Sequence, residues 1–224
     1  MNNALISVYQ KLFKKYKAQY WWPGNSRLEI IIGAILTQNT NWGNVEKAIN
    51  NLKKEKLLSF DKLYQLNIEN LAGLIRPSGY FNIKAKRLKN FLYYLKEKYN
   101  GNINRMFSRD LNDLRKELLN VSGIGPETAD SILLYAGNYP IFVVDAYTKR
   151  IFLRHKFIED DASYEEIQKL FMDNLRKNTK LFNEYHALIV KLGKEVCLKT
   201  KPQCEICPLK NYKFQFSNHK QIAN

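Results

Sequence analysis

Leu118-Leu-Asn-Val-Ser-Gly-Ile-Gly-Pro-Glu-Thr-Ala-Asp-Ser-Ile-Leu-Leu-Tyr135 is the most informative stretch of this chain. It reads as a helix, a tight Gly-X-Gly hairpin and a second helix. Gly123 and Gly125 let the backbone turn without Cβ clashes, and Pro126 suits the first position of the helix that follows. Such a turn exposes backbone N–H groups at a helix start, where a phosphate can sit. A Gly-X-Gly alone is equally compatible with an ordinary turn between packed helices, so what lies downstream decides its meaning.

Downstream come Gly137, Pro140 and the run Ile141-Phe-Val-Val-Asp145-Ala-Tyr-Thr-Lys-Arg-Ile-Phe152. Asp145 falls between an apolar, strand-like stretch and a helix, which makes it an N-cap candidate. A carboxylate at a helix start is also favoured in its charged form by the dipole and the N–H groups, so capping and catalysis are compatible.

Working outward, apolar residues recur at three- and four-residue spacing in Leu5-Val8-Tyr9-Leu12-Phe13, Leu28-Ile31-Ile32-Ile35-Leu36 and Leu88-Phe91-Leu92-Leu95. Breaks fall at Trp22-Pro23-Gly24, Pro77-Ser78-Gly79, Asn100-Gly101, Gly123-Ile-Gly-Pro126 and Asn138-Tyr-Pro140. The expected fold class is all-α, about ten short helices with tight connections. There is no internal repeat and no low-complexity tract.

A chain of 224 residues suits one large domain or two small ones, and 45% hydrophobic residues exclude disorder for most of it. The longest apolar runs fall far short of the ~20 residues of a membrane span, and Met1-Asn-Asn-Ala opens no secretory signal. The expectation is a soluble, cytoplasmic protein. The 36 Lys and Arg against 21 Asp and Glu leave a formal charge of +15. That excess fits a nucleic-acid partner but also fits ordinary solvated surfaces. It is concentrated in two segments: Arg76 to Lys98 holds seven basic residues against one Glu, and Lys191 to Lys220 holds seven against two. The three cysteines, Cys197, Cys204 and Cys207, sit together, which favours a metal or cluster site over a disulfide framework. His155 and His186 read as structural.

The hairpin, Asp145, Ile35-Leu-Thr-Gln-Asn-Thr40, Ile75-Arg-Pro-Ser-Gly-Tyr-Phe-Asn-Ile-Lys-Ala85 and the cysteine segment together resemble the helix-hairpin-helix, Gly/Pro-rich, Asp superfamily of base-excision DNA glycosylases, the endonuclease III-like proteins. The step from Glu127 to Asp145 matches that family's spacing. Trp21-Trp-Pro23 with Trp42 is most similar to a bacterial 3-methyladenine DNA glycosylase branch.

The resemblance implies two helical lobes. One is a helical barrel over residues 20–137 with the hairpin motif at about 118–135. The other combines residues 1–19 with 138–224 and carries the cysteine loop at 197–213, with Asp145 at the mouth of the cleft between lobes. It implies damaged double-stranded DNA as the partner of a monomeric enzyme that uses no membrane. Asp145 would be the catalytic carboxylate. Trp21, Trp22, Pro23, Trp42 and Glu127 would form the base pocket. Gln38, Tyr80, Lys84, Gly123, Gly125 and Thr128 would contact DNA, with Gln38 filling the space of the flipped base and Tyr80 entering the opposite strand. The plain alternative for Gln38 is a polar residue at a helix end, and for Tyr80 and any one Trp a core aromatic.

A cationic base such as 3-methyladenine is drawn to a Trp face by ~0.5–2 kcal/mol beyond stacking and leaves easily, so one ionised aspartate is sufficient chemistry. Bifunctional family members carry a Schiff-base lysine where this chain has Glu127, which implies base removal without strand cleavage. The alternatives are a glycosylase/lyase for oxidised pyrimidines or mismatches, and a non-catalytic DNA-binding protein.

Cys197-x6-Cys204-x2-Cys207 matches three quarters of the family's iron–sulfur loop, but Lys213 stands where the fourth cysteine belongs. Lysine is a poor thiolate replacement. A [4Fe-4S] cluster on three cysteines, an empty loop, and a zinc site completed by His219 all remain open, as does a monovalent cation on the hairpin carbonyls. Lys199, Lys201 and Lys210 are expected near phosphates in each case.

Overall fold

The computed structural model describes residues 2–21, 24–210 and 212. Among these it is all-α, with no strand. The chain opens with α1 (Asn2–Tyr16). It continues through α2 (Arg27–Leu36), α3 (Trp42–Lys54), α4 (Phe60–Gln65), α5 (Ile68–Leu74), α6 (Phe81–Tyr99), α7 (Ile103–Met106), α8 (Leu111–Leu119) and α9 (Pro126–Ser131), the last extended by a π turn over Ile132–Ala136. It closes with α10 (Ala146–Arg154), α11 (Tyr164–Asn174) and α12 (Thr179–Glu195). The contacts divide it into two compact units, Trp22–Tyr139 and Met1–Trp21 with Pro140–Asn224.

Helix starts are set locally. Ser26, Asn41, Asn67, Asn102, Asn178 and Asp145 each accept a hydrogen bond from a backbone N–H three residues on, and Ser163 forms a full capping box with Glu166. Each such cap is worth about 0.5–2 kcal/mol.

In the unit of residues 22–139, α2 is the central element. Leu28, Ile30, Ile31, Ile32, Ile35 and Leu36 are all buried, and the helix packs on α3, α6 and α9. A helix with so broad an apolar surface is stable only when surrounded, and its one buried charge, Glu29, is met by Lys53 at 2.6 Å. The long helix α6 buries a stripe of Ala85, Leu88, Phe91, Leu92 and Leu95, and that stripe also takes in two lysines. Lys84 donates from Nζ to the Ser78 carbonyl at 2.6 Å, and Lys89 to the carbonyls of Leu63 and Tyr64, both at 2.8 Å. These ammonium groups satisfy backbone oxygens at the ends of neighbouring turns, so two of the seven charges of the Arg76 to Lys98 segment face inward.

In the other unit, α12 packs on α1 and α10 around an aromatic core. Phe142 stacks on Phe171 with centroids 3.8 Å apart, and Phe182 and Tyr185 meet Phe142 edge-on. The Tyr185 hydroxyl donates to the Leu5 carbonyl at 2.8 Å, tying α12 to α1. Residues 141–144 are buried, yet they form no strand. Their backbone is served by side chains instead: Gln168 Nε2 donates to the Phe142 carbonyl at 2.7 Å, and the Val144 N–H reaches the Tyr164 hydroxyl at 3.4 Å. The strand-like reading of this run is corrected accordingly. A short apolar run looks the same in a strand and in a buried connection.

Candidate active site

The hairpin joins α8 to α9, and one buried ion pair spans them. Arg115 donates through Nε and Nη2 to the two carboxylate oxygens of Asp130 at 2.7 and 3.0 Å, and the Asp130 side chain is wholly buried. At the turn, Gly123 has φ +93°, a region L side chains rarely adopt, and a Cβ there would lie 2.2 Å from Arg87 Cγ. Gly125 differs from the sequence expectation. It caps α9 from an ordinary extended conformation with open space on its Cβ side.

Gln38, just beyond α2, is joined to this turn. Its Nε2 donates to the Gly123 carbonyl at 3.1 Å and to Thr128 Oγ1 at 2.8 Å, while its Oε1 accepts from Arg87 Nη1. Asn90 donates to the Ser122 carbonyl at 3.0 Å. The Gln38 amide is therefore committed to the hairpin, and Arg87 and Asn90 are hairpin residues that the sequence reading missed. Both lie on α6, whose spacing places them on the flank of its buried stripe. The Gly123 and Ser122 carbonyls, candidates for holding a cation, already accept these side-chain donors.

Tyr80 is 70% exposed and sits at the start of α6 with φ +45°. A non-glycine residue there stores about 1–3 kcal/mol of strain, and such strain gathers at functional positions. Lys84 is corrected: at 1% exposure and bonded to Ser78 it has no ammonium to offer a phosphate, and burial with the nearby Arg87 charge lowers its pKa. Trp42 is half-buried with its ring against Gly33 of α2. Glu127 is exposed in the first turn of α9. Trp22 and Pro23 lie outside the described residues.

Asp145 belongs to the other unit. Its Oδ1 accepts from the Thr148 N–H at 2.7 Å and from the Thr148 hydroxyl at 2.9 Å. Its Oδ2 lies 3.4 Å from His186 Nε2, and the two side chains are 12% and 6% exposed. Burial pushes the carboxyl pKa up, but His186 and the two Thr148 donors outweigh it and hold the group below the usual carboxylate range. Trp21 stacks on the His186 ring, centroids 5.7 Å apart and planes 17° from parallel. His186 is thus more than a core histidine: it is buried as the sequence suggested, but beside Asp145.

The cysteine loop folds back on α10. Arg150 donates to the carbonyls of Cys197 and Gly193, both at 2.9 Å, and Arg154 to Cys197 Sγ at 3.2 Å and to the carbonyls of Leu198 and Lys199 at 2.7 and 2.9 Å. His155 Nδ1 meets the Tyr212 carbonyl at 2.7 Å. All three cysteines line a cavity of about 290 Å³. As arranged, though, they do not fit a cluster. Cys197 is engaged by Arg154, and no three ligand side chains converge among the described residues. Lys213 and His219, which bear on the cluster and zinc readings, lie outside the described residues. Lys210 pairs with Glu205. No helix among the described residues is long and apolar enough to cross a membrane.

An all-helical chain with this hairpin and a capped aspartate after it defines a known class of DNA-repair protein. The family model for the HhH-GPD superfamily of base excision DNA repair proteins matches residues 32–177. The chain belongs to that superfamily, and by class it is a DNA repair glycosylase. It is similar to the Methanocaldococcus jannaschii protein MJ1434, whose name assigns it provisionally to the DNA repair glycosylases, at 49% identity over 93% of this chain and 94% of that one. It is 29% identical to endonuclease III of Thermotoga maritima over 82% of this chain and 80% of that one. Among solved structures, it resembles the H. pylori 3-methyladenine DNA glycosylase bound to 1,N6-ethenoadenine, with 30% identity, a TM-score of 0.72, and coverage of 87% of this chain and 95% of that chain. A non-covalent endonuclease III–DNA complex gives 25% identity and a TM-score of 0.82, covering 95% of both chains.

Proposed function

We propose that this protein hydrolyses the N-glycosidic bond of an alkylated base such as 3-methyladenine in duplex DNA and leaves the strand intact. The observation that carries the reading is Asp145, a carboxylate held in its charged form at a helix start with part of its side chain still open to solvent.

The chemistry follows from that charge. An alkylated purine is cationic, so breaking its bond to C1′ releases a neutral base and leaves positive charge on the sugar. The Asp145 carboxylate stabilises that charge and orients the water that adds to C1′, whose proton it accepts and passes to solvent. Fixed charge aimed at a developing cation is commonly the largest catalytic term. With a leaving group this good, no general acid is needed.

Access to the bond requires flipping, which costs a few kcal/mol. In this reading the Gly123 to Gly125 turn grips a phosphate, Gln38 fills the gap from its seat on the hairpin, and the strained, exposed Tyr80 enters the opposite strand. Thr128 contributes by holding Gln38, and Arg76, Lys86 and Arg87 take the phosphate role that Lys84 cannot. Trp21, Trp22, Pro23 and Trp42 supply the aromatic pocket, and similarity to the H. pylori 3-methyladenine enzyme supports an alkylated purine as its occupant. Glu127 stands where a lyase would need an amine, and a carboxylate forms no Schiff base.

A single chain acting as a monomer on damaged duplex DNA is sufficient for all of these roles. Incubation with duplexes carrying 3-methyladenine, 7-methylguanine, uracil or an oxidised pyrimidine, with released base measured apart from strand breaks, tests the reading. Release of methylated base without breaks is expected. Borohydride-trapped covalent adducts would instead establish the bifunctional alternative.

A further inference from the structure

Asp145 uses only one of its oxygens as a helix cap. Both Thr148 donors converge on Oδ1, which leaves Oδ2 outside the cap, and Oδ2 faces His186 Nε2 at 3.4 Å. His186 is placed with care. It lies on the buried stripe of α12 with Phe182, Tyr185 and Ile189, and its ring is stacked on Trp21. Two turns further along α12, Gly193 admits the Tyr147 ring of α10, since a Cβ there would come within 2.3 Å of Tyr147 Cδ1. That close approach of α10 to α12 brings the two side chains within reach of each other.

From this geometry we infer that His186 is a positioning residue for Asp145, its Nε2 aiming Oδ2 while Trp21 fixes the plane of the imidazole. This rests on the reading of Asp145 as the reacting carboxylate. The physical effect is twofold. The contact adds to the hold that Thr148 has on the carboxylate by bracing its second oxygen, and misplacing a reacting group by about 1 Å can cost ~100-fold in rate. The charge acting on Asp145 from α12 is that of His186, and from α10 the group faces the neutral Thr148 donors, so loss of the imidazole also makes the carboxylate easier to protonate.

The test is single-turnover excision from 3-methyladenine duplex by wild type, His186→Leu, His186→Gln and Asp145→Asn, across pH. His186→Leu is expected to lose about 10- to 100-fold in rate at neutral pH. Its duplex affinity should not change, and the acid limb of its profile should move to higher pH. His186→Gln, which keeps a donor near the same place, should recover part of the rate. A His186→Leu enzyme with wild-type rate and an unmoved acid limb, alongside an inactive Asp145→Asn, overturns the inference and leaves the proposed function standing. Full activity in Asp145→Asn overturns both. If His186→Leu does not fold, the imidazole NMR signals of the three histidines in wild type and Asp145→Asn decide. One histidine's signals should move, and no movement overturns the inference.

Discussion

Thr148 gives Asp145 two hydrogen bonds on a single oxygen, from its backbone N–H at 2.7 Å and its hydroxyl at 2.9 Å. The carboxylate caps α10 through one oxygen and keeps the other for the proposed chemistry. The two functions separate under substitution. Asparagine caps helices about as well as aspartate, whereas alanine does not. Asp145→Ala should lose about 0.5–2 kcal/mol in urea unfolding at neutral pH and Asp145→Asn much less, while both lose excision activity.

The lowered Asp145 pKa sets the pH behaviour of that stability. A carboxyl held below its usual value in the folded protein stabilises it above the unfolded pKa, and the contribution disappears as pH falls through the folded value. The stability difference between wild type and Asp145→Asn should be present above the unfolded carboxyl pKa and shrink as pH falls below about 4. A difference that grows on acidification would contradict the assigned direction.

Arg115 and Asp130 hold the two helices of the hairpin motif together from a buried position. Removing one partner of a buried ion pair costs about 3–5 kcal/mol. Arg115→Ala should lower stability by that order in thermal unfolding. Replacing both by apolar residues of similar volume should cost clearly less.

Gly123 is needed for its backbone conformation and for the space that Arg87 occupies. Gly123→Ala should cost about 1–3 kcal/mol and weaken duplex binding, since the Gln38 amide depends on the Gly123 carbonyl and Arg87. Gln38→Ala should leave the fold intact but reduce excision. Equal loss of binding to damaged and undamaged duplex would show that Gln38 acts through the hairpin grip alone.

The all-α class was legible because apolar residues recur at helical spacing, in α2 at Leu28, Ile31, Ile32, Ile35 and Leu36. The Asp145 cap was legible from its place between an apolar run and a helix. Residues 141–144 were not, because β-branched apolar residues carry no mark that separates a strand from a buried link. Lys84 reads as a surface cation within a basic run, yet it precedes Leu88 by one helical turn and shares its inward stripe. That periodic signal was available. The pairing of His186 with Asp145 had no local signal at all: it depends on how α10 and α12 pack, which only the fold supplies.

The cysteine loop is anchored to α10 by Arg150 and Arg154, and Lys213 stands in the fourth cysteine position. The protein should therefore purify without an iron–sulfur absorbance band near ~400 nm. Arg154→Ala should destabilise it more than Cys204→Ser. A brown protein that bleaches and loses stability with an iron chelator would show that the loop holds a cluster after all.

In the proposed reaction one ionised aspartate hydrolyses the glycosidic bond of an alkylated base. Single-turnover release of 3-methyladenine from duplex DNA by wild type and Asp145→Asn, with strand breaks scored on the same samples, tests it most directly. Wild type should release the base without breaks, and Asp145→Asn should bind the duplex normally while losing at least about 100-fold in rate. Full base release by Asp145→Asn, or strand cleavage in step with base release by wild type, would contradict the account.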